Sequence, residues 1–167
     1  MEKFAFYEFE FGYLKIGCTD TAVTFLKRAD SVDDVHSPSA LSDLAFFQIR
    51  EYLDGKRKAF DFPWELRGTD FQKRAWQALC TIPYGETRTY RDVAAQLGNP
   101  NASRAVGMAN HHNPLWIVVP CHRVVGSNGK LTGYAGGLQM KAALLELEKA
   151  HSSASPAAHA AAAGQRA

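Results

Sequence analysis

The stretch WIVVPCHRVVGSNGKLTGYAGG, residues 116–137, sets a thiol, an imidazole and a guanidinium side by side at Cys121, His122 and Arg123. A phenol, Tyr134, follows inside a glycine-rich loop. A free cysteine titrates at about 8.5, so little of it is thiolate at neutral pH unless its surroundings help. His122 could help as a base, Arg123 as a cation, or backbone N–H groups if a helical turn begins at the cysteine. Neighbours on an extended strand face opposite ways. If residues 116–119 form the strand that their apolar run suggests, Cys121 and His122 can cooperate in two ways. Either the chain leaves the strand at Pro120, which cannot donate to a ladder, or a water bridges the two groups. The opposing reading is plain: a cysteine after an apolar run is more often a packed core residue, and a lone histidine a structural one. The residue types alone leave both open.

The elements around this stretch must position it. With 46% hydrophobic and 22% charged residues, the 167-residue chain can bury a core as one domain or two small ones. A formal net charge of +2 is compatible with nucleic acid but does not demand it. Glu2, Glu8 and Glu10 interrupt the apolar N-terminus, and no apolar run is long enough to span a bilayer, so an intracellular, soluble chain is expected. Cys18, Cys80 and Cys121 are widely spaced with no CxxC, which argues against a disulfide framework or a cysteine zinc site.

FAFYEFEFGYLKIG and AVTFLKRA read as antiparallel strands. Residues 40–53 read as a helix with Leu41, Leu44, Ala45, Ile49 and Leu53 on one face, and 58–62 as a possible short strand. Residues 1–63 thus form a small α/β unit, with 63–68 as the linker. Beyond it come short helices: 69–80 with Phe71, Ala75, Trp76 and Leu79 on one face, 90–97 capped by Thr89, and 101–111. The last two, joined by a glycine-containing turn, have the spacing of a helix-turn-helix, although any two helices packed in a small domain look alike. A final helix over 137–148 would pack Leu138, Ala142 and Leu145, and the alanine-rich tail, 151–167, reads as disordered or as a frayed helical extension.

PCHRVV, preceded by RAVGMANHHNP and followed by GYAGGLQMK, resembles the O6-alkylguanine-DNA alkyltransferase family. GTDFQKRAW, IPYGETRTY and QLGNP extend the likeness, which runs from about Gly68 to Glu148. The resemblance implies a small N-terminal α/β domain (1–63) followed by a mainly helical, winged-helix-like DNA-binding domain (64–150). It implies direct, once-only transfer of an alkyl group from O6 of guanine, or less readily O4 of thymine, to Cys121. In that scheme a water links Cys121 to His122, Glu148 orients the imidazole, and Asn113 supports the turn presenting the thiol. Tyr134 donates to guanine N3, while Val124 and Ala135 line the base. Arg104 takes the place of the extruded nucleotide, Tyr90 helps rotate the target phosphate, and Ser103, Arg91 and Ser127 face the DNA. The small residues of ASRAVGMA suit a helix lying in the minor groove, although close helix–helix packing uses the same residues. Met108 adds bulk there.

The resemblance further implies no cofactor, a partner that is double-stranded DNA carrying O6-alkylguanine, no membrane, and a monomer able to cooperate on DNA. It implies a cytoplasmic protein, or a nuclear one in a eukaryote. Some relatives hold zinc in the N-terminal unit. With only Cys18 and His36 as soft ligands there, no metal is expected. Two other functions compete: a damage-binding module that marks lesions without dealkylating them, and a cysteine hydrolase drawing on His36. The presence of a cysteine at 121 speaks against the first, and no motif supports the second.

Overall fold

The computed structural model of the chain describes residues 1–33, 35–134 and 137–152. It is an α/β structure. Strands β1 (Lys3–Phe9), β2 (Gly12–Cys18) and β3 (Val23–Ala29) form an antiparallel meander in the order β1-β2-β3. Ala5, Leu14, Ile16 and Leu26 point from it into the core. Helix α1 (Ala40–Leu53) starts in a capping box between Ser39 and Ser42 and lies on the sheet. Its buried residues are Ser42, Ala45, Gln48, Ile49 and Tyr52, and Leu44, expected on the packed face, is exposed. The polar members explain the error. Ser42 meets the Tyr7 hydroxyl at 2.8 Å and Gln48 accepts from the Asp61 N–H at 3.0 Å, so both are satisfied inside and an apolar count misplaces the stripe.

The strand expected over 58–62 does not form. Its backbone groups are taken by side chains instead: Gln48 accepts from Asp61 N–H, and Arg57 donates to the Ala59 carbonyl at 3.0 Å. The free edge of β3 is used by two distant segments. The Val23 N–H donates to the Pro63 carbonyl at 2.9 Å and the Glu65 N–H to the Val23 carbonyl at 3.0 Å, so the joining segment is fastened, with Trp64 and Leu66 buried. Further along β3, Leu26 donates to the Pro114 carbonyl at 2.7 Å and accepts from Trp116 N–H at 2.9 Å. That second clamp anchors the chain just ahead of Cys121.

Helix α2 (Asp70–Leu79) opens in a Thr69/Gln72 capping box, and its Trp76 indole donates to the Ala109 carbonyl at 2.8 Å. A short strand, β4 (Arg88–Thr89), leads into α3 (Tyr90–Gln96), capped by Thr89 and Asp92. Gly98, at φ 86°, turns the chain toward α4 (Ser103–His111). The latter starts two residues later than expected, because Asn99 holds the N–H groups of Asn101 and Ala102 in a turn. β4 pairs in parallel with β5 (Val124–Val125), tying the helix-turn-helix to the chain beyond Cys121. Helix α5 (Leu138–Ala150) closes the unit, but on the face opposite to expectation: Leu138 and Ala142 are exposed, while Met140, Lys141, Leu144 and Glu148 are buried. An apolar pattern misses this because two of the buried residues are ionisable. Among the described residues no helix is long and apolar enough to cross a membrane. The tail beyond Ser152 lies outside the described residues, so its expected disorder is not addressed.

Candidate active site

Residues 116–119 do not extend as a strand. Ile117 sits at φ 73°, a costly conformation for a β-branched residue, within a tight turn where Val118 N–H donates to the Trp116 carbonyl at 2.8 Å. Asn113, entirely buried, holds that turn from both ends. Its Oδ1 accepts from Leu115 N–H at 2.9 Å and its Nδ2 donates to the Val119 carbonyl at 2.9 Å. The chain then leaves at Pro120 into a single 3-10 turn, Cys121–Arg123. A turn after Pro120 is one of the two routes left open, but the strand it was to leave does not form; with no extended backbone at Cys121, the opposite-face separation from His122 does not apply.

The second N–H of Asn113 Nδ2 points at Cys121 Sγ, 3.1 Å away. Burial pushes the thiol up to about 11, against the pull of the Asn113 donor and the nearby cations Lys141 and Lys27. At neutral pH the sulfur is therefore protonated in the resting protein. His122 is also fully buried, and its Nε2 lies 2.7 Å from Glu148 Oε2. Glu148 collects further donors: Arg123 Nε at 2.8 Å, Arg123 Nη2 at 3.0 Å, the Gly85 N–H at 3.1 Å and the Tyr52 hydroxyl at 2.5 Å. Burial works against its charge. His122 and the Arg123 fork outweigh that and hold the carboxyl well below the usual range. Burial likewise lowers the imidazole against the upward pull of Glu148, which leaves it neutral. A neutral ring facing an ionised carboxylate carries its proton on Nε2, so Nδ1 presents a lone pair. That Nδ1 is buried and has no protein partner among the described residues.

Gly85 matters to this geometry. Its φ of 83° suits glycine, and a Cβ there would come within 2.5 Å of Ser152. Tyr134 is buried, its ring 5.5 Å from that of Trp116. Its hydroxyl has no partner among the described residues, and burial, then Cys121, push the phenol well above its ordinary value, so it remains a donor. Val124 is buried on β5 one turn past the thiol. Ala135 lies outside the described residues.

The remaining candidates gather at the helix-turn-helix. Arg104 on α4 and Arg91 on α3 are exposed, with no ion-pair or hydrogen-bond partner among the described residues. Ser103 is half-buried in the first turn of α4, which has no side-chain cap. Tyr90 is half-buried, and its hydroxyl donates to the Thr132 carbonyl at 3.2 Å. Ser127 is exposed in a turn closed by Gly126 N–H on the Lys130 carbonyl at 2.9 Å. Ala105 is exposed beside Arg104, but Met108 stands 60% exposed on the same helix and gives the face a bulky point.

Two family descriptions cover nearly all of the described chain. Residues 3–66 match the ribonuclease-like domain of 6-O-methylguanine DNA methyltransferase, and residues 70–150 its DNA-binding domain. The methylated-DNA--protein-cysteine methyltransferase of Mycolicibacterium paratuberculosis is 49% identical over 150 residues, covering 86% of this chain and 90% of the relative. That of Mycobacterium bovis is 58% identical over 117 residues, 70% of each. This chain belongs to the 6-O-methylguanine DNA methyltransferase family. Among solved structures, Mycobacterium tuberculosis OGT in complex with DNA superposes with a TM-score of 0.81 at 46% identity, covering 89% of this chain and 94% of the other.

Within this family member, sequence reasoning brought Cys121, His122, Glu148 and Asn113 to one place but passed over four contributors. Lys141 donates to the carbonyls of Val124 at 2.5 Å and Thr132 at 2.8 Å, and burial brings it down to about 8. It stands seven residues before Glu148, two helical turns along one face, a spacing that could have marked it. Asn110 of α4 donates to the Cys121 carbonyl at 3.4 Å. Gly85 contributes only its backbone. Tyr52, at an apolar-stripe position of α1, carried no signal that distinguished it from core. Arg123, weighed as a neighbour of the thiol, instead serves Glu148. Among the described residues no group of three or more His, Cys, Asp or Glu is arranged to hold a metal ion.

Proposed function

We propose that this protein repairs DNA by moving an alkyl group, methyl foremost, from O6 of guanine, and less readily from O4 of thymine, onto Cys121 Sγ. The observation that carries this reading is a pair of arrangements on consecutive residues. Asn113 holds the Cys121 thiol, and the next residue, His122, is a neutral imidazole with an unpartnered Nδ1, backed by the Glu148 carboxylate that Arg123 locks. The thiol proton passes through one water to Nδ1, and Glu148 stabilises the imidazolium formed. Sulfur then attacks the alkyl carbon. The S–C bond forms as the C–O6 bond breaks, and the released electron pair stays on the guanine ring, where Tyr134 donates toward N3. The proton held on His122 later returns through solvent to the guanine. The product thioether has no leaving group that water could displace, so each molecule reacts once and is spent.

A thiol this enclosed reaches only a base that has left the duplex, at a cost of a few kcal/mol. Arg104 fills the gap while α4 lies in the minor groove. Tyr90, Arg91, Ser103 and Ser127 contact the backbone, and Val124 with Ala135 line the base. The small exposed Ala105 and the unpaired arginines support that face, as does the DNA-bound structure of the mycobacterial relative. The protein acts as a monomer able to cooperate on DNA, without cofactor, wherever the genome is held: the cytoplasm of a prokaryote or the nucleus of a eukaryote.

Mass spectrometry after incubation with a duplex containing O6-methylguanine tests this. One methyl adduct on Cys121, lost in Cys121→Ser, is the expected result. Binding without an adduct would favour lesion marking, and repeated turnover with free cysteine recovered would favour a hydrolase; either overturns the proposal. His36, the hydrolase candidate, accepts from Phe6 N–H at 3.1 Å and is already engaged in the sheet.

A further inference from the structure

We infer that Tyr52, supplied by the N-terminal unit, is a positioning residue of the alkyl-transfer site, setting through Glu148 how readily His122 takes a proton. The phenol is buried on α1, ninety-six positions in sequence from Glu148. Its hydroxyl meets Glu148 Oε2 at 2.5 Å and lies 3.4 Å from His122 Nε2. That same Oε2 accepts from His122 Nε2. Arg123 Nη2 donates to Oε2 as well, at 3.0 Å, so three donors share that oxygen; of them Tyr52 comes from the N-terminal half, and what it draws from the oxygen the others lose.

The geometry allows one arrangement of protons. His122 Nε2 donates to Glu148, so the Tyr52 hydroxyl must also donate to Glu148 rather than to the ring. An ionised carboxylate can accept from both. Burial and the Glu148 charge keep the Tyr52 phenol protonated throughout. The phenol therefore quenches part of the charge that would otherwise stabilise an imidazolium. The other charged or titratable groups that face this cluster are Arg123 from the 3-10 turn, Lys141 from α5 and Tyr84 from the loop after α2. Tyr84 meets the Tyr52 ring edge-on at 6.2 Å but makes no hydrogen bond to the carboxylate. Among these groups Tyr52 is the neutral donor that competes directly with His122.

A use for the N-terminal unit follows. The clamp of Leu26 on Pro114 and Trp116 holds the chain before the thiol, and Tyr52 holds the far end of the proton chain. Both ends of the site are thus referenced to the same sheet and helix.

Loss of the hydroxyl in Tyr52→Phe should leave Glu148 more basic toward Nε2–H. His122 should titrate about one unit higher, the scale of one lost hydrogen bond to a charged group. The acid limb of the pH–rate profile for adduct formation should move up with it, and the rate near neutral pH should fall. The His122 titration is read by imidazole 15N shifts and needs no alkyl transfer, so it tests Tyr52 even if the repair reading fails; only the kinetic arm rests on that reading. Ile49→Val, on the same face of α1, should change stability while leaving both readouts in place. Because Tyr52→Phe could fail to fold, 3-fluorotyrosine at position 52 serves as the second variant. It keeps the hydroxyl, donates more strongly, and should move both readouts to lower pH. An unmoved His122 titration in Tyr52→Phe, or in the fluorotyrosine protein if Tyr52→Phe does not fold, overturns the inference.

Discussion

Around Glu148 the carboxylate is buried and matched: Arg123 gives it two bonds, and His122, the Tyr52 hydroxyl and the Gly85 backbone one each. On the outer face of α3 and α4 the opposite holds. Arg91 and Arg104 stand in solvent, and α4 begins without a side-chain cap. Desolvated charges are affordable only when they hold one another, so the inner geometry must exist before any substrate arrives. Exposed arginines lose little by waiting for a partner, and a polyanion supplies one. The inner region should therefore answer to mutation as stability and to pH, and the outer region as binding and to salt.

The largest effect expected is at Arg123. In Arg123→Ala, Glu148 keeps its burial but loses two donors, and an uncompensated buried carboxylate costs about 3–5 kcal/mol. Urea denaturation should show that loss together with loss of adduct formation. A stable Arg123→Ala protein would mean that the inner charges are not mutually dependent, and the contrast with the outer face would fail. Tyr134 sharpens the point from inside the site. Its hydroxyl has no partner among the described residues, so Tyr134→Phe should leave stability unchanged or slightly raised. If that hydroxyl donates to the leaving base as proposed, its removal should still slow alkyl transfer by about 10²–10³ in single-turnover kinetics.

The contrast also explains what could be read beforehand. Capped helices were legible: Thr69 and Thr89 announce α2 and α3, and Gly98 the turn before α4. A change of course at Pro120 was one of two routes that proline chemistry allowed, although the strand expected before it does not form. Three features were not legible. The tight turn at Ile117 is imposed by Asn113 across a few residues, and nothing in an apolar run signals a positive φ. The buried face of α5 hides behind Lys141 and Glu148, because hydrophobic periodicity scores ionisable residues as solvent-facing. Tyr52 belongs to the site only through a contact across the two halves, which no local pattern encodes. Arg91 and Arg104 raise the reverse difficulty, since their surroundings look the same whether or not DNA is their purpose.

Arg104 tests the outer region directly. Arg104→Ala should weaken repair of a duplex roughly 10- to 100-fold, the scale of the few kcal/mol needed to extrude a base, while reaction with a free O6-alkylguanine base stays unchanged. Equal losses on both would assign Arg104 to the chemistry instead. Acid then probes the inner region. Folding holds His122 below its ordinary value of 6.5 and Glu148 below 4.5. In each case the unfolded chain binds protons that the folded one refuses, so stability falls as pH falls, first through about 6.5 and again through about 4.5. Each such proton contributes a slope of at most about 1.4 kcal/mol per pH unit. A denaturation midpoint flat between pH 7 and 5 would show that His122 is not held neutral.

The smallest effect separates the two regions most cleanly. Arg91 is exposed at the start of α3, pairs with nothing described, and touches none of the inner groups. If it meets a phosphate, Arg91→Ala removes about one released counterion, so the slope of log affinity against log salt should shrink by about one, equally for damaged and undamaged duplex. Stability, the acid response and the reaction with free base should not change. An unaltered salt slope would take Arg91 off the DNA path, and a slope change confined to lesion-bearing duplex would place it in base extrusion beside Arg104. A shifted acid response would be the more serious result, because it would show that the outer charges reach the buried chain and that the two regions are not independent.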